Sequence, residues 1–111
     1  MNIYDTANRL AQEIKQSEEY INYKMAKQAL SLNIELKKKL ENFEKMRYEI
    51  QLDTMKTGKR DEEKYKKMQQ EYLELVNIDE AKRFFEAETK FDIVIADINK
   101  IIGEAIKDVM Q

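Results

Sequence analysis

The chain has 111 residues, enough for one domain, with 42% hydrophobic residues, 38% charged residues and a formal net charge of −2. It contains no cysteine and no histidine, which excludes disulfides, thiolate-bound zinc or iron–sulfur clusters, cysteine nucleophiles and histidine bases. No apolar run approaches the roughly 20 residues that cross a bilayer, and the N-terminus does not resemble a signal peptide, so we expect a cytoplasmic protein that does not enter a membrane.

The first two predicted helices lie before residue 33. The first, over residues 2–16, carries apolar residues with the 4-3-4 spacing of one helical face. These residues are Ile3, Ala7, Leu10 and Ile14. Ser17 is a suitable N-cap for the second helix, and Glu18 and Glu19 lie where the helix dipole favours negative charge. We predict that the second helix buries a face formed by Ile21, Met25, Ala29 and Leu32.

The middle of the chain predicts two more helices joined by a turn. Asn33 is the N-cap candidate of the third helix, over about residues 34–56, and Gly58 ends it because glycine adopts the left-handed conformation without strain. Asp61 begins the fourth helix, which breaks near residues 77–79. The expected buried faces are Leu36, Leu40, Phe43 and Ile50 in the third helix, and Tyr65, Met68, Tyr72 and Leu75 in the fourth.

The last predicted helix, residues 79–110, has the strongest pattern. Its seam alternates steps of three and four, as in helices that pack lengthwise on other helices. The seam residues are Ala81, Phe84, Glu88, Phe91, Ile95, Ile98, Ile102, Ala105 and Val109. Such a helix is about 48 Å long, whereas a compact domain of this size is roughly 34 Å across. We therefore predict a single all-α domain over residues 1–111, an elongated bundle or hairpin with apolar surface free along its length.

The long seam also predicts self-association. Val94 and Ile101 widen it beyond a single line of contact, and one elongated chain cannot cover all of that surface. A second copy is the natural cover, so we expect a homodimer or a higher homo-oligomer. The expected interface residues are Phe84, Phe91, Ile95, Ile98 and Ile102.

Glu88 is the one ionisable residue in the seam. It is either a structural residue that pairs with Arg or Lys of a neighbouring helix and fixes register, or a functional residue, as a buried acid or as half of a carboxylate metal site. Carboxylate-bridged metal bundles also use Glu-x-x-His pairs, so the absence of histidine favours the structural role. Asp92, Asp97 and Asn99 lack the loop spacing of a Ca²⁺ or Mg²⁺ site. We expect no catalytic residue, no bound metal and no cofactor.

Basic residues cluster around Gly58 and could contact RNA phosphates. They are Lys56, Lys59, Arg60, Lys64, Lys66 and Lys67. Acidic residues interrupt them, and residues 56–78 carry a net charge of only +1. A solvated surface is the better interpretation, and nucleic acid is not expected as a partner.

Two segments resemble a known bacterial family. "NIYDTANRLAQEIKQSEEY" and "EAETKFDIVIADINKIIGEAI" are similar to the first and last helices of YheA-type proteins in the YlbF/YmcA group. The resemblance implies an elongated antiparallel helical hairpin or bundle, with two long helices and short flanking helices, that forms dimers or larger assemblies. YlbF and YmcA act with a third protein in a complex that supports messenger-RNA processing and is associated with iron–sulfur clusters. Cluster binding through thiolates does not carry over, because this chain has no cysteine.

The combined interpretation is a non-enzymatic cytoplasmic adaptor that self-associates and binds a protein partner. The alternative, which comes from the resemblance, is a regulatory cofactor of RNA processing within an RNase-associated complex.

Overall fold

The computed structural model describes residues 2–110, and over that range it consists of five α-helices without a strand. The helices are α1 (Ile3–Gln16), α2 (Glu18–Ser31), α3 (Ile34–Thr57), α4 (Glu62–Leu75) and α5 (Asp79–Met110). The predicted all-α fold, with two long helices and short flanking helices, is confirmed.

Side-chain caps fix where the helices begin. Asn2, Ser17, Asn33 and Asp61 each precede a helix, and each side-chain oxygen accepts a hydrogen bond from a backbone N–H two or three residues further on. Gly58 ends α3 with φ of 73°, in the left-handed region, as its position predicted. The cap residues predicted at Ser17, Asn33 and Asp61 are therefore confirmed.

The hydrophobic core lies where the C-terminal ends of α2 and α4 meet the N-terminal halves of α3 and α5. Its buried members are Leu30, Leu36, Leu40, Phe43, Leu75, Ala81, Phe84 and Phe85. Full burial of each large member contributes about 1.5–3 kcal/mol. The face predicted for α3 is confirmed, and Leu75 brings the end of α4 into the same core.

Aromatic rings connect α3, α4 and α5 within this core. The Phe85 ring lies 5.6 Å from that of Phe43 and 5.1 Å from that of Tyr72, measured between centroids. Its ring also lies 5.7 Å from that of Phe84 on the preceding position of α5. These separations suit edge-on and tilted aromatic pairs, which add about 0.5–1.5 kcal/mol each beyond area burial.

The face predicted for α2 is wrong. The predicted residues are all exposed, and Leu32 is 88% exposed. Helix α2 runs antiparallel to α5 and directs Tyr23, Ala26 and Leu30 towards the core instead. The Tyr23 ring lies 5.4 Å from Phe84 and 5.5 Å from Phe91. Tyrosine buries a large apolar ring while keeping a polar hydroxyl, so counting aliphatic residues alone misplaced the face.

The described chain is thin and extended, with principal-axis extents of 49 × 37 × 16 Å. Its radius of gyration is 17.5 Å, against about 13 Å for a compact domain of this length. One arm is the α3–α4 hairpin, which ends at Gly58. The other is the α2–α5 pair. Because Tyr20, near the start of α2, already packs on Phe91, α5 continues well beyond the reach of α2.

The two glycines provide a matched test of the backbone. A Cβ added at Gly58 or at Gly103 would meet nothing within 4 Å, so neither substitution to alanine creates a clash. Gly58→Ala is expected to destabilise the fold by about 1–2 kcal/mol because alanine is strained at positive φ. Gly103→Ala, inside α5, is expected to stabilise it by about 0.5–1 kcal/mol. Thermal melts at one protein concentration check both signs, and equal shifts for the two variants would contradict the left-handed turn.

Candidate interaction surface

Glu88 lies where α2, α3 and α5 meet. Its Oε1 accepts from Arg47 Nη1 at 3.4 Å, and its Oε2 accepts from the Tyr23 hydroxyl at 3.2 Å. The Arg47 guanidinium also lies 5.5 Å from the centroid of the Phe43 ring. The side chain of Glu88 is 14% exposed and that of Arg47 is 39% exposed, so water still screens the pair. Glu88 thus pairs with an arginine of a neighbouring helix, as predicted, and its carboxylate contacts side chains of two other helices.

Burial, as the larger cause, and the adjacent Glu88 carboxylate together raise the pKa of Tyr23 from 10.0 to about 12. Below pH 10 the phenol is protonated in both the folded and the unfolded chain. Between pH 10 and about 12 the unfolded chain releases this proton first, so the folded state loses stability as the pH rises.

Replacing Tyr23 by Phe keeps the ring and removes the ionisable hydroxyl. We expect the stability advantage of the original chain over Tyr23→Phe to shrink as the pH rises from about 10 to 12. Urea midpoints of both proteins, measured at one concentration across this range, check the prediction. A difference that stays constant with pH would show that Tyr23 does not titrate in this way.

No group of three His, Cys, Asp or Glu side chains in residues 2–110 is arranged to hold an ion. Asp92, Asp97 and Asn99 are exposed on α5. Among the described helices none is long and apolar enough to cross a membrane.

Acidic neighbours partly neutralise the basic turn around Gly58. Arg60 lies 3.3 Å from a Glu62 oxygen and stacks 3.6 Å from the centre of the Tyr65 ring. Lys64 Nζ lies 2.9 Å from Asp53, and this contact raises the pKa of the lysine. The turn therefore presents mixed charge, which makes it a poor surface for nucleic-acid phosphates.

The predicted interface residues follow a gradient of exposure along α5. Phe84 is 1% exposed and belongs to the core of its own chain, so its side chain has no surface left for a second copy. Phe91, Ile95 and Ile98 are half-buried, and Ile102 is 48% exposed. The interface assignment of these four residues stays a prediction.

Beyond residue 100, all described residues of α5 are exposed although many are apolar. We call the apolar residues of this region, together with the half-buried Ile98 that precedes it, the distal α5 face. Its residues are Ile98, Ile101, Ile102, Ala105, Ile106 and Val109. Ile106 was missed in the sequence because it lies beside the seam rather than in it. The sequence feature that could have identified Ile106 is its position next to the seam residue Ala105. There it widens the distal α5 face on the side opposite Ile101.

Helix α1 carries a second unpacked apolar face. None of its residues is buried, Ile3 and Tyr4 are each 75% exposed, and Leu10 and Ile14 are half-buried. The apolar stripe predicted for α1 is present, but little of it is buried within one chain. Within residues 2–110, α1 therefore presents an apolar face outside the core, as α5 does with the distal α5 face.

Comparison with known proteins gives consistent matches over almost the whole chain. A family model described as "Control of competence regulator ComK, YlbF/YmcA" matches residues 3–107. A UPF0342 protein of Desulfitobacterium hafniense is 34% identical over 110 residues, covering 99% of this chain and 89% of the relative. A UPF0342 protein of Alkalihalophilus pseudofirmus is 36% identical over 109 residues, covering 97% and 92%.

Solved structures share the fold. A protein of unknown function (DUF964) from Bacillus stearothermophilus superposes with a TM-score of 0.82 at 16% identity, covering 98% of this chain and 96% of that chain. YheA from Bacillus subtilis gives 0.70 at 22% identity, covering 98% and 99%. A chain of the crystal structure of Bacillus subtilis RicA in complex with RicF gives 0.62 at 25% identity, covering 98% of this chain and 96% of that chain.

Proposed function

Because the chain belongs to the YlbF/YmcA family, we propose that it is a non-enzymatic, cytoplasmic helical interaction protein that self-associates and binds a protein partner. In this proposal the chain acts as one domain, which is supported by the single core that joins α2, α3, α4 and α5. The observation that carries the proposal is the distal α5 face, a continuous apolar surface outside that core.

The distal α5 face is unusual for a surface that remains in water. Ile101 is 70% exposed, Ile106 44% and Val109 80%, and all three lie within nine residues of one helix. Single exposed apolar residues are ordinary, but contiguous apolar patches of a few hundred Å² mark interaction sites. An aqueous environment would favour covering this face with another protein surface.

The similar chain in the RicA–RicF structure supports a protein partner. That chain was solved within a complex of two proteins, and its similarity extends over 98% of this chain. A fold of this kind can therefore engage another protein without an added domain. We propose that the same capacity exists here.

The alternative, a regulatory cofactor of RNA processing, would be distinguished by direct RNA contact. The ion pairs of Arg60 and Lys64 reduce the positive field at the Gly58 turn, which favours the adaptor over an RNA-binding protein. RNA titrations at low and high salt separate the two. Affinity that falls steeply with salt would favour the RNA-contacting alternative.

Chemical crosslinking in the native cell tests the proposal. We expect crosslinks between two copies of the chain and from the chain to a partner protein. Both should disappear when Ile102 is replaced by Asp and remain when Ile93, on the opposite side of α5, is replaced in the same way. A chain that crosslinks to no other copy under these conditions would contradict self-association.

A further inference from the structure

The geometry points to the element that covers the distal α5 face. We propose that α1 of one copy packs on the distal α5 face of a second copy, so that two copies of α1 and two of α5 form an intermolecular four-helix bundle. This inference rests on the proposed self-association and names its contact surfaces.

The first argument is the stability of α1. Isolated helices shorter than about 12–15 residues are marginal in water, so most helices of this length depend on packing of an apolar face. Helix α1 has 14 residues and no buried residue. Ile3 and Tyr4, both 75% exposed, lie at its outer end. A second surface is needed to stabilise this end of α1.

The second argument is the match between the two faces. Helix α1 is about 21 Å long, and residues 96–110 of α5 extend over about 22 Å. The apolar spacing is 4-3-4 in both. The two stripes are Ile3, Ala7, Leu10 and Ile14 in α1, and Ile98, Ile102, Ala105 and Val109 in α5.

The third argument is the width of the distal α5 face. A two-stranded coiled coil would cover the central stripe and leave Ile101 and Ile106, on its two flanks, in water. Covering both flanks takes more than one neighbouring helix, as in a four-helix bundle. Two copies that each supply α1 and α5 provide the required number of helices.

The fourth argument is that α1 does not cover the distal α5 face of its own chain. Residues 101–110 are exposed while α1 is fully formed.

Full burial of a large apolar side chain removes roughly 60–120 Å² from water. The six most relevant side chains are 44–80% exposed in the single chain, so covering them would bury roughly 350 Å² per copy, a little under half of the ~800 Å² per partner of a standard interface. They are Ile3, Tyr4, Ile101, Ile102, Ile106 and Val109.

The absence of cysteine makes a specific crosslinking test possible. Ala7→Cys and Ala105→Cys place one thiol at the middle of each face, so the pair stays close whether the helices run parallel or antiparallel. The two variants are purified separately, mixed, re-equilibrated and oxidised mildly, and a short bis-maleimide is used in parallel for thiols beyond disulfide reach. We expect a covalent dimer containing one chain of each variant, identified by mass spectrometry. Lys59→Cys at the exposed hairpin turn, mixed with Ala105→Cys, is the control and should not crosslink.

The outcomes separate this inference from the proposed function. Sedimentation that shows a dimer, with crosslinks only between two Ala105→Cys chains, would overturn the role of α1 and leave self-association intact. A double Ala7→Cys, Ala105→Cys chain that crosslinks only within itself would also overturn it. A mixture that sediments as monomers would reject both proposals.

Discussion

Ile102→Asp is expected to dissociate the assembly while leaving the helical content of the chain intact. Ile102 is already 48% exposed in the single chain, so a carboxylate there stays hydrated in the monomer. In a bundle built on the distal α5 face, the same carboxylate would be buried without a partner, which typically costs about 3–5 kcal/mol. The dissociation constant should therefore rise by at least roughly 100-fold. Sedimentation velocity and circular dichroism on the same samples measure the two effects.

Ile93→Asp is the matched control for this prediction. Ile93 is 55% exposed on the same helix, but nine residues from Ile102 and so on the opposite side. The same substitution at Ile93 should leave the sedimentation coefficient unchanged. If both variants dissociated the assembly equally, a general effect of charge on α5 would explain the result and the distal α5 face would lose its assigned role.

Phe84→Ala is expected to damage the fold itself. The ring is 1% exposed and contacts Tyr23 and Phe85, at centroid distances of 5.4 Å and 5.7 Å. Truncation of a buried phenylalanine costs about 3–5 kcal/mol, a large fraction of the stability of a small domain. The Tm should fall by more than about 10 °C, and this fall should persist at protein concentrations low enough to give monomers.

Phe91→Ala provides the comparison within the same seam. Phe91 is half-buried, so its truncation should lower the Tm of the monomer by less than that of Phe84. If Phe84→Ala instead weakened only self-association and left the melt of the dilute monomer unchanged, its place in the core would be wrong.

Much of the fold follows from local chemistry in the sequence. Ser17, Asn33 and Asp61 cap helices because their side-chain oxygens reach backbone N–H groups of the next turn, a rule that needs no tertiary information. Gly58 ends α3 because only glycine adopts its φ of 73° without strain. Glu88 was identifiable as a paired residue because an unpaired charge in an apolar seam is unfavourable.

The distribution of burial was harder to predict because it depends on tertiary packing. The seam of α5 is uniform along the sequence, yet Phe84 is buried and Val109 is 80% exposed, since α2 reaches only the first half of the helix. Likewise, α2 buries Tyr23 rather than Ile21 because the rings of α5 are its neighbours. A periodic pattern shows which face is apolar, but the reach of the neighbouring helix decides where that face is covered.

Self-association is tested most directly by sedimentation equilibrium of the unmodified chain over a wide concentration range, with thermal melts on the same samples. One chain has a mass of 13.3 kDa. We expect a mass of two or more chains at tens of micromolar and a Tm that rises with concentration, because association stabilises the folded state by mass action. A mass of one chain throughout, with a Tm independent of concentration, would contradict the assembly and leave the distal α5 face without its proposed role.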